Sequence, residues 1–212
     1  MPEIKSHEVA EVKNPQTENF KHIKPESEIS PTEAKSFWEG EAERYNPYQT
    51  RLDHTPKVDS ENGHWEDNNR RGESKFIPDK TTEEGKAAAE RLKEYGIDGI
   101  EYRNAEPDFS PISKATVKIE NMTECRESNF KQADIKCAEK WNNEAKDNRT
   151  DWTASEVKSW RKDNNYSWHE RCDTVTMDLV PREVHSACKH IGGVSECKVR
   201  DSIGNVGGEF DE

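Results

Sequence analysis

Large apolar side chains are sparse along this chain, and regular periods in their placement begin only at Thr82. The stretch TEEGKAAAERLKEYG offers Thr82 as a cap, acidic side chains in the first turn, alanines and Leu92 on one face, and Gly96 at the stop position, which predicts a helix. Two short strand-like runs follow, IDGIEYR and ATVKIE, separated by the Pro-rich turn region NAEPDFSPISK. Together they predict a small α+β unit over residues 82–120. In ESNFKQADIKCAEKWNNEAK, Phe130, Ala133, Cys137, Ala138 and Trp141 recur at helical spacing, so a second helix with one buried stripe is expected. A third begins at Thr153, where Thr153-Ala154-Ser155-Glu156 fits a capping box and Val157 and Trp160 supply the inner face, and it ends near Asn164-Asn165. YSWHE and TVTMDLVP then alternate like paired strands around the turn ERCD. Pro181 can open a further helix, PREVHSACK, which Gly192-Gly193 close.

Upstream, the pattern is weaker. Residues 1–35 are polar and interrupted by Pro2, Pro15, Pro25 and Pro31, so they read as a disordered leader. Residues 32–48 can form a short amphipathic helix through Ala34, Phe37, Trp38 and Ala42, ended by Pro47, whereas residues 49–80 look irregular. The expected fold class is α+β. Its parts are a leader (1–35), an accessory α+β region with helical content (36–120), a C-terminal strand–strand–helix unit within residues 121–200, and an acidic tail (201–212).

Composition limits the core and complicates the choice of partner. Only 30% of residues are hydrophobic and 36% are charged, which suits one compact region with polar flanks better than a core spanning all 212 residues. A net charge of −12 argues at first against a phosphate-rich ligand. Residues 111–200, however, hold 16 Lys and Arg against 15 Asp and Glu, so the acidity lies before residue 111 and in the tail. Cys125, Cys137, Cys172, Cys188 and Cys197 form no CxxC pair, and their odd number specifies neither a zinc ribbon nor a disulfide framework. No stretch has the length and apolarity of a membrane span, and the opening MPEIKSHEVAEVKN lacks a signal-peptide core.

The chemistry concentrates near the C-terminus. His169, His185 and His190 fall on a strand end, in a helix and at its exit. A hairpin between His169 and His185 lets strand and helix face one another. His185 and His190 are five apart, one residue too many for adjacent helical turns, so His190 converges only if the helix ends near Lys189. Three imidazoles suit a divalent first-row ion and leave positions open for water and a substrate oxygen. Glu170 is placed to act as a base toward water, or it exchanges roles with His169 and binds the ion.

Tyr166-Ser167-Trp168-His169-Glu170, Thr176-Met177-Asp178-Leu179-Val180-Pro181, His185, His190, Gly192 and Gly193 together resemble the WHH/WHE branch of the HNH/endonuclease VII toxin nucleases. The upstream segments GHWEDNNRRGESKFIPD, YGIDGIEYRNAEPDFSP and NFKQAD resemble those preceding this nuclease in bacterial polymorphic toxins, so the likeness runs from about residue 45 to 198. It implies a C-terminal ββα-metal (HNH) finger over residues 121–200 that hydrolyses phosphodiester bonds, with DNA as substrate and little sequence preference. It further implies His169, His185 and His190 as ligands of one divalent ion (Zn, Mg, Mn or Ni), Glu170 as general base, an immunity protein as partner, and delivery into a target bacterium by a larger carrier. Two positions depart from the pattern. Glu170 stands where a histidine base is usual, and the asparagine that orients the base has no counterpart unless Thr174, Thr176 or a nearby carbonyl serves.

Other residues carry plainer expectations. Arg182, Lys189 and Lys198 are candidate phosphate contacts within a basic rim that also takes in Lys158, Arg161, Lys162 and Arg200. Arg70 and Arg71 read as a solvated loop, His7, His22, His54 and His64 as ordinary side chains, and Trp141, Trp152, Trp160 and Trp168 as packing residues. Two alternatives compete with the DNase: an RNase on the same scaffold, and a non-catalytic interaction module whose zinc is closed off by Cys188 or Glu170 as fourth ligand.

Overall fold

A computed structural model describes residues 44–206 of the chain. The leader expected over residues 1–35, most of the helix expected over 32–48 and the end of the acidic tail lie outside the described residues. The described part is α+β, with two antiparallel sheets. The first contains β1 (Gly63–Trp65), β2 (Lys75–Pro78), β3 (Ile100–Arg103) and β4 (Glu106–Pro107) in that spatial order. The second contains β5 (Thr116–Lys118), β6 (Tyr166–Glu170) and β7 (Thr176–Pro181), with β7 central. The helices are α1 (Tyr48–Asp53), α2 (Glu83–Lys93), α3 (Arg126–Asn143), α4 (Ala154–Asp163), α5 (Arg182–Ala187) and α6 (Gly193–Val206).

Where capping and periodicity agree, the elements form as expected. Thr82 accepts the Gly85 N–H at the start of α2, and Thr153 and Glu156 close a full capping box on α4. α3 buries Ala133, Cys137, Ala138 and Trp141, the stripe expected from its sequence. These side chains join Val117, Val157, Trp168, Met177 and Leu179 in one core. A second core joins Trp65, Phe76, Leu92, Ile100, Tyr102 and Ile112 to Val180, Val184 and Cys188. The strand–strand–helix unit β6–β7–α5 is therefore packed on both sides, and α2 lies against α5 with an Arg91–Glu183 ion pair at 3.2 Å.

Three expectations are corrected. The runs IDGIEYR and ATVKIE, read as parts of one small α+β unit over residues 82–120, lie in different sheets: β3 pairs with β2 and β4, while β5 pairs with β7 in register Val117↔Met177. Local pattern identifies a strand but not its partner, and here a half-buried bond from Thr116 Oγ1 to Asp178 at 2.6 Å helps fix β5 on β7. Residues 49–80 are not irregular but contain α1, β1 and β2, elements of three to six residues that are too short to show a period. The glycines do not simply close the helix after Pro181. α5 stops at Ala187, and Gly193 begins α6, whose inner face carries the buried Glu196 and Cys197 rather than an apolar stripe. Glu196 accepts from the backbone N–H groups of Tyr45 and Asn46 at 2.6 and 3.1 Å, tying α6 to the segment before α1.

Candidate metal centre

His169 is the penultimate residue of β6 and buried, His185 sits in α5 and His190 lies three residues beyond that helix. Because α5 ends at Ala187, and Cys188 leaves helical geometry at φ −89° and ψ 71°, the chain turns back and the five-residue spacing ceases to be an obstacle. His169 Nδ1 lies 3.3 Å from His185 Nε2 and 3.1 Å from His190 Nε2, and one nitrogen from each ring falls within 4.8 Å of the others. Nitrogens bound to one tetrahedral ion at its usual bond length are about 3.3 Å apart, so this spacing fits a shared ion. Hydrogen bonding alone accounts for the arrangement less well, since two Nε2 atoms converge on a single Nδ1. His190 Nδ1 is 2.7 Å from the Cys188 carbonyl, which favours the tautomer with the proton on Nδ1 and the Nε2 lone pair aimed at the cluster.

The surroundings favour the neutral, ligating form of all three rings. Burial, reinforced by the neighbouring imidazoles, pushes His169 well below the ordinary range. Burial first, then His190 and Arg126, lowers His185 to about 3, and burial lowers His190 to about 4 against the bond to Cys188. Phe109 touches all three rings, with centroid separations of 4.9, 5.6 and 5.6 Å, and is itself buried. It forms an apolar floor behind the nitrogens.

The cluster opens into a cleft of about 570 Å³ that is also lined by Glu170, Arg126, His54, Lys189 and Lys198. Glu170 is the sole acidic side chain among the lining residues, so the cleft is cationic although the whole chain is acidic. Burial raises the Glu170 carboxyl above its usual range, against the opposing pull of Arg126 and Asn129. Gly193 makes the close approach of α6 possible, since a Cβ there would collide with the Arg171 carbonyl and Met122 Sδ.

The other expected residues are distributed unevenly. Lys189 and Lys198 are exposed and line the cleft, whereas Arg182 is exposed outside the lining, with its Nε bonded to the Tyr166 carbonyl at 3.2 Å. Arg161 leaves the basic rim altogether: it is buried, in a two-pronged pair with Asp134 at 2.9 and 3.1 Å. Arg71 braces the loop after α1 through the Pro56 carbonyl and Thr55, so it is not a solvated side chain. Cys125, Cys137, Cys172, Cys188 and Cys197 are unbridged, and neither Cys188 nor Glu170 joins the three-histidine group. Thr176 bonds Asp173, and the side chains that meet Glu170 are Asn129 and Arg126 of α3. Sequence reasoning missed Asn129, Arg126, Phe109 and the cleft position of His54. A polar Asn129 interrupting the apolar stripe beside Phe130 was the one available signal.

Among the described residues no helix is long and apolar enough to cross a membrane. No curated protein matches the chain in sequence. Residues 99–192, which include Phe109, Arg126, Asn129, Glu170 and all three clustered histidines, match the family model described as the DNase/tRNase domain of colicin-like bacteriocin, and this match supports a toxin nuclease domain in that part of the chain.

Proposed function

We propose that the chain is a metal-dependent endonuclease of the HNH, ββα-metal type that hydrolyses DNA with little sequence preference and acts as a bacterial effector toxin. The observation that carries this reading is the convergence of three neutral imidazole nitrogens, from β6, α5 and the turn after it, in a cationic cleft with one buried carboxylate. His169, His185 and His190 would hold the ion. An all-imidazole donor set favours zinc, nickel or another nitrogen-preferring ion over magnesium. When bound, the ion would polarise the phosphate and offset charge on the leaving oxygen.

The chain's own groups supply the remaining steps. Glu170 accepts a proton from the attacking water as the water oxygen bonds to phosphorus and the bond to the departing sugar oxygen breaks. The same proton then passes to that oxygen, directly or through solvent. A carboxyl raised by burial is better matched to this work than an exposed one. Lys189 and Lys198 contact phosphates along the cleft, where they confer affinity without sequence preference. Arg182 could meet only a substrate that extends beyond the cleft lining.

The three-nitrogen group lacks a fourth protein ligand among the described residues, which favours an open catalytic site over the structural-zinc module. Cys188, offered for that role by the sequence, is buried beneath Tyr102, and its thiol is pushed up to about 12 by burial. An immunity protein and a larger carrier, as partners of an effector, complete the proposal, with delivery into a competing cell as its setting.

A plasmid-nicking assay over a panel of divalent ions, with an RNA substrate run alongside, tests the reading. Cleavage of DNA is expected to require an added ion, to stop with chelator and to fall at least about a hundredfold in His185→Ala. Undiminished cleavage under chelation and in His185→Ala would defeat it, and unfolding of the protein on metal removal would point to the structural module instead.

A further inference from the structure

The Glu170 carboxylate is only 5% exposed, yet both of its oxygens meet donors from the first turn of α3. Asn129 Nδ2 donates to Oε1 at 3.2 Å, and Arg126 Nε lies 3.3 Å from Oε2. Residues three apart on a helix share one face, so a single short surface grips the whole carboxylate. Asn129 is fully buried and locked in turn. Its Oδ1 accepts the Thr123 N–H at 2.9 Å and its Nδ2 donates to the Thr123 carbonyl at 2.8 Å, which fixes the amide's orientation and leaves the remaining N–H for Glu170. The bonds to Thr123 are accounted for by the turn leading into α3; the bond to Glu170 is not. The terminal torsion of a glutamate is broad and roughly two-fold. One donor on each oxygen removes that freedom and presents the carboxylate to the cleft in one plane.

We propose that α3 is the positioning element of the water-activating carboxylate, with Asn129 holding Oε1 and Arg126 holding Oε2. The proposal rests on the reading of Glu170 as base. Asn129 bonds Thr123 and Glu170 and acts on the rate through the carboxylate, whereas the Arg126 guanidinium also reaches His185 and His190 through its charge, which opposes a further cation there, so its loss should not weaken ion binding.

The test is steady-state hydrolysis of a short DNA duplex at saturating metal by Asn129→Ala, Arg126→Gln, Arg126→Lys, Glu170→Gln and the pairwise combinations with Glu170→Gln. Zinc affinity is measured calorimetrically on each single variant. Asn129→Ala and Arg126→Gln are expected to lower kcat by about 10–100-fold. For Asn129→Ala, KM and zinc affinity should stay within about twofold, and Arg126→Lys should recover part of the Arg126→Gln loss. Added to Glu170→Gln, neither change should lower the rate further, because there is no longer a carboxylate to orient. Wild-type kcat in both single variants, a double-variant loss equal to the product of the single losses, or weakened zinc binding overturns the proposal. Arg126 is 65% exposed, so Arg126→Gln carries the test if Asn129→Ala does not fold. A wild-type rate in Glu170→Gln is a separate result that removes the base assignment itself and the proposal with it.

Discussion

At the scale of single residues, the three-histidine cluster depends on side chains outside it. Phe109 stacks edge-on or tilted against three imidazoles at once, so Phe109→Ala should cost about 3–5 kcal/mol of stability by opening a buried cavity. The same loss should weaken zinc binding about 10–100-fold, as expected when groups supporting metal ligands are removed. Urea denaturation and zinc titration of Phe109→Ala and the milder Phe109→Leu check both effects. The histidines also set a pH dependence. The unfolded chain takes up protons near 6.5, whereas His185 and His190 in the fold resist protonation down to about 3 and about 4. Between those limits the unfolded state binds more protons, so this contribution is fully present above about pH 6.5 and is lost as pH falls toward 4. The urea midpoint of the metal-free protein should therefore drop between pH 7 and 4.5, and less steeply in His190→Gln. Equal slopes in the two proteins would show that other groups carry the acid sensitivity.

At the scale of elements, α3 and α4 are pinned to β6 by a buried polar knot. Asp134 of α3 receives two bonds from Arg161 of α4 and one from the indole N–H of Trp168 in β6, the last at 2.8 Å. Arg161 also lies over the Phe130 ring at 5.1 Å. Removing one partner leaves a buried charge uncompensated, so Asp134→Ala should destabilise the protein by about 3–5 kcal/mol. Replacing Asp134 and Arg161 together by Leu and Met should cost much less, because no charge is then stranded. Chemical denaturation of the single and double variants separates these outcomes, and a double variant no better than the single would mean the knot orders the elements in some other way. Trp168, one residue before His169 in β6, links this helix packing to the placement of the histidine cluster.

At the scale of the whole molecule, the β6–β7–α5 unit is packed into the rest of the described fold. β5 completes its sheet, Phe109 floors its histidine cluster, and Val180, Val184 and Cys188 sit in a core shared with β1, β2, β3 and α2. A fragment of residues 121–200 alone lacks β5 and Phe109, and it should show neither a cooperative thermal transition nor tight zinc binding, whereas residues 44–206 should show both. Circular dichroism melts with and without zinc make the comparison. Charge is also distributed at this scale. The cleft presents Arg126, Lys189 and Lys198 on an otherwise acidic chain, so DNA affinity should fall steeply with added salt, and removal of one lysine should flatten the salt dependence by about one unit of slope.

The sequence by itself determined those features whose causes are local. Capping at Thr82 and Thr153, the apolar stripe of α3, and the paired strands β6 and β7 each arise from residues a few positions apart, and each appears in the fold, although β7 is buried at every position rather than on alternate ones. The three histidines were legible for a related reason: imidazoles clustered within one hairpin-and-helix span have few places to go. Tertiary structure decided what depends on residues far apart in the chain. It assigned β5 to β7 rather than to β3, drew Arg161 out of the basic rim into the core, built α6 around a buried glutamate, and brought Asn129 and Arg126 onto Glu170 across 41 and 44 positions. Local propensity fixes backbone torsions over a turn or a strand, while the partner of a buried polar group is chosen by packing of elements that meet only in the folded chain.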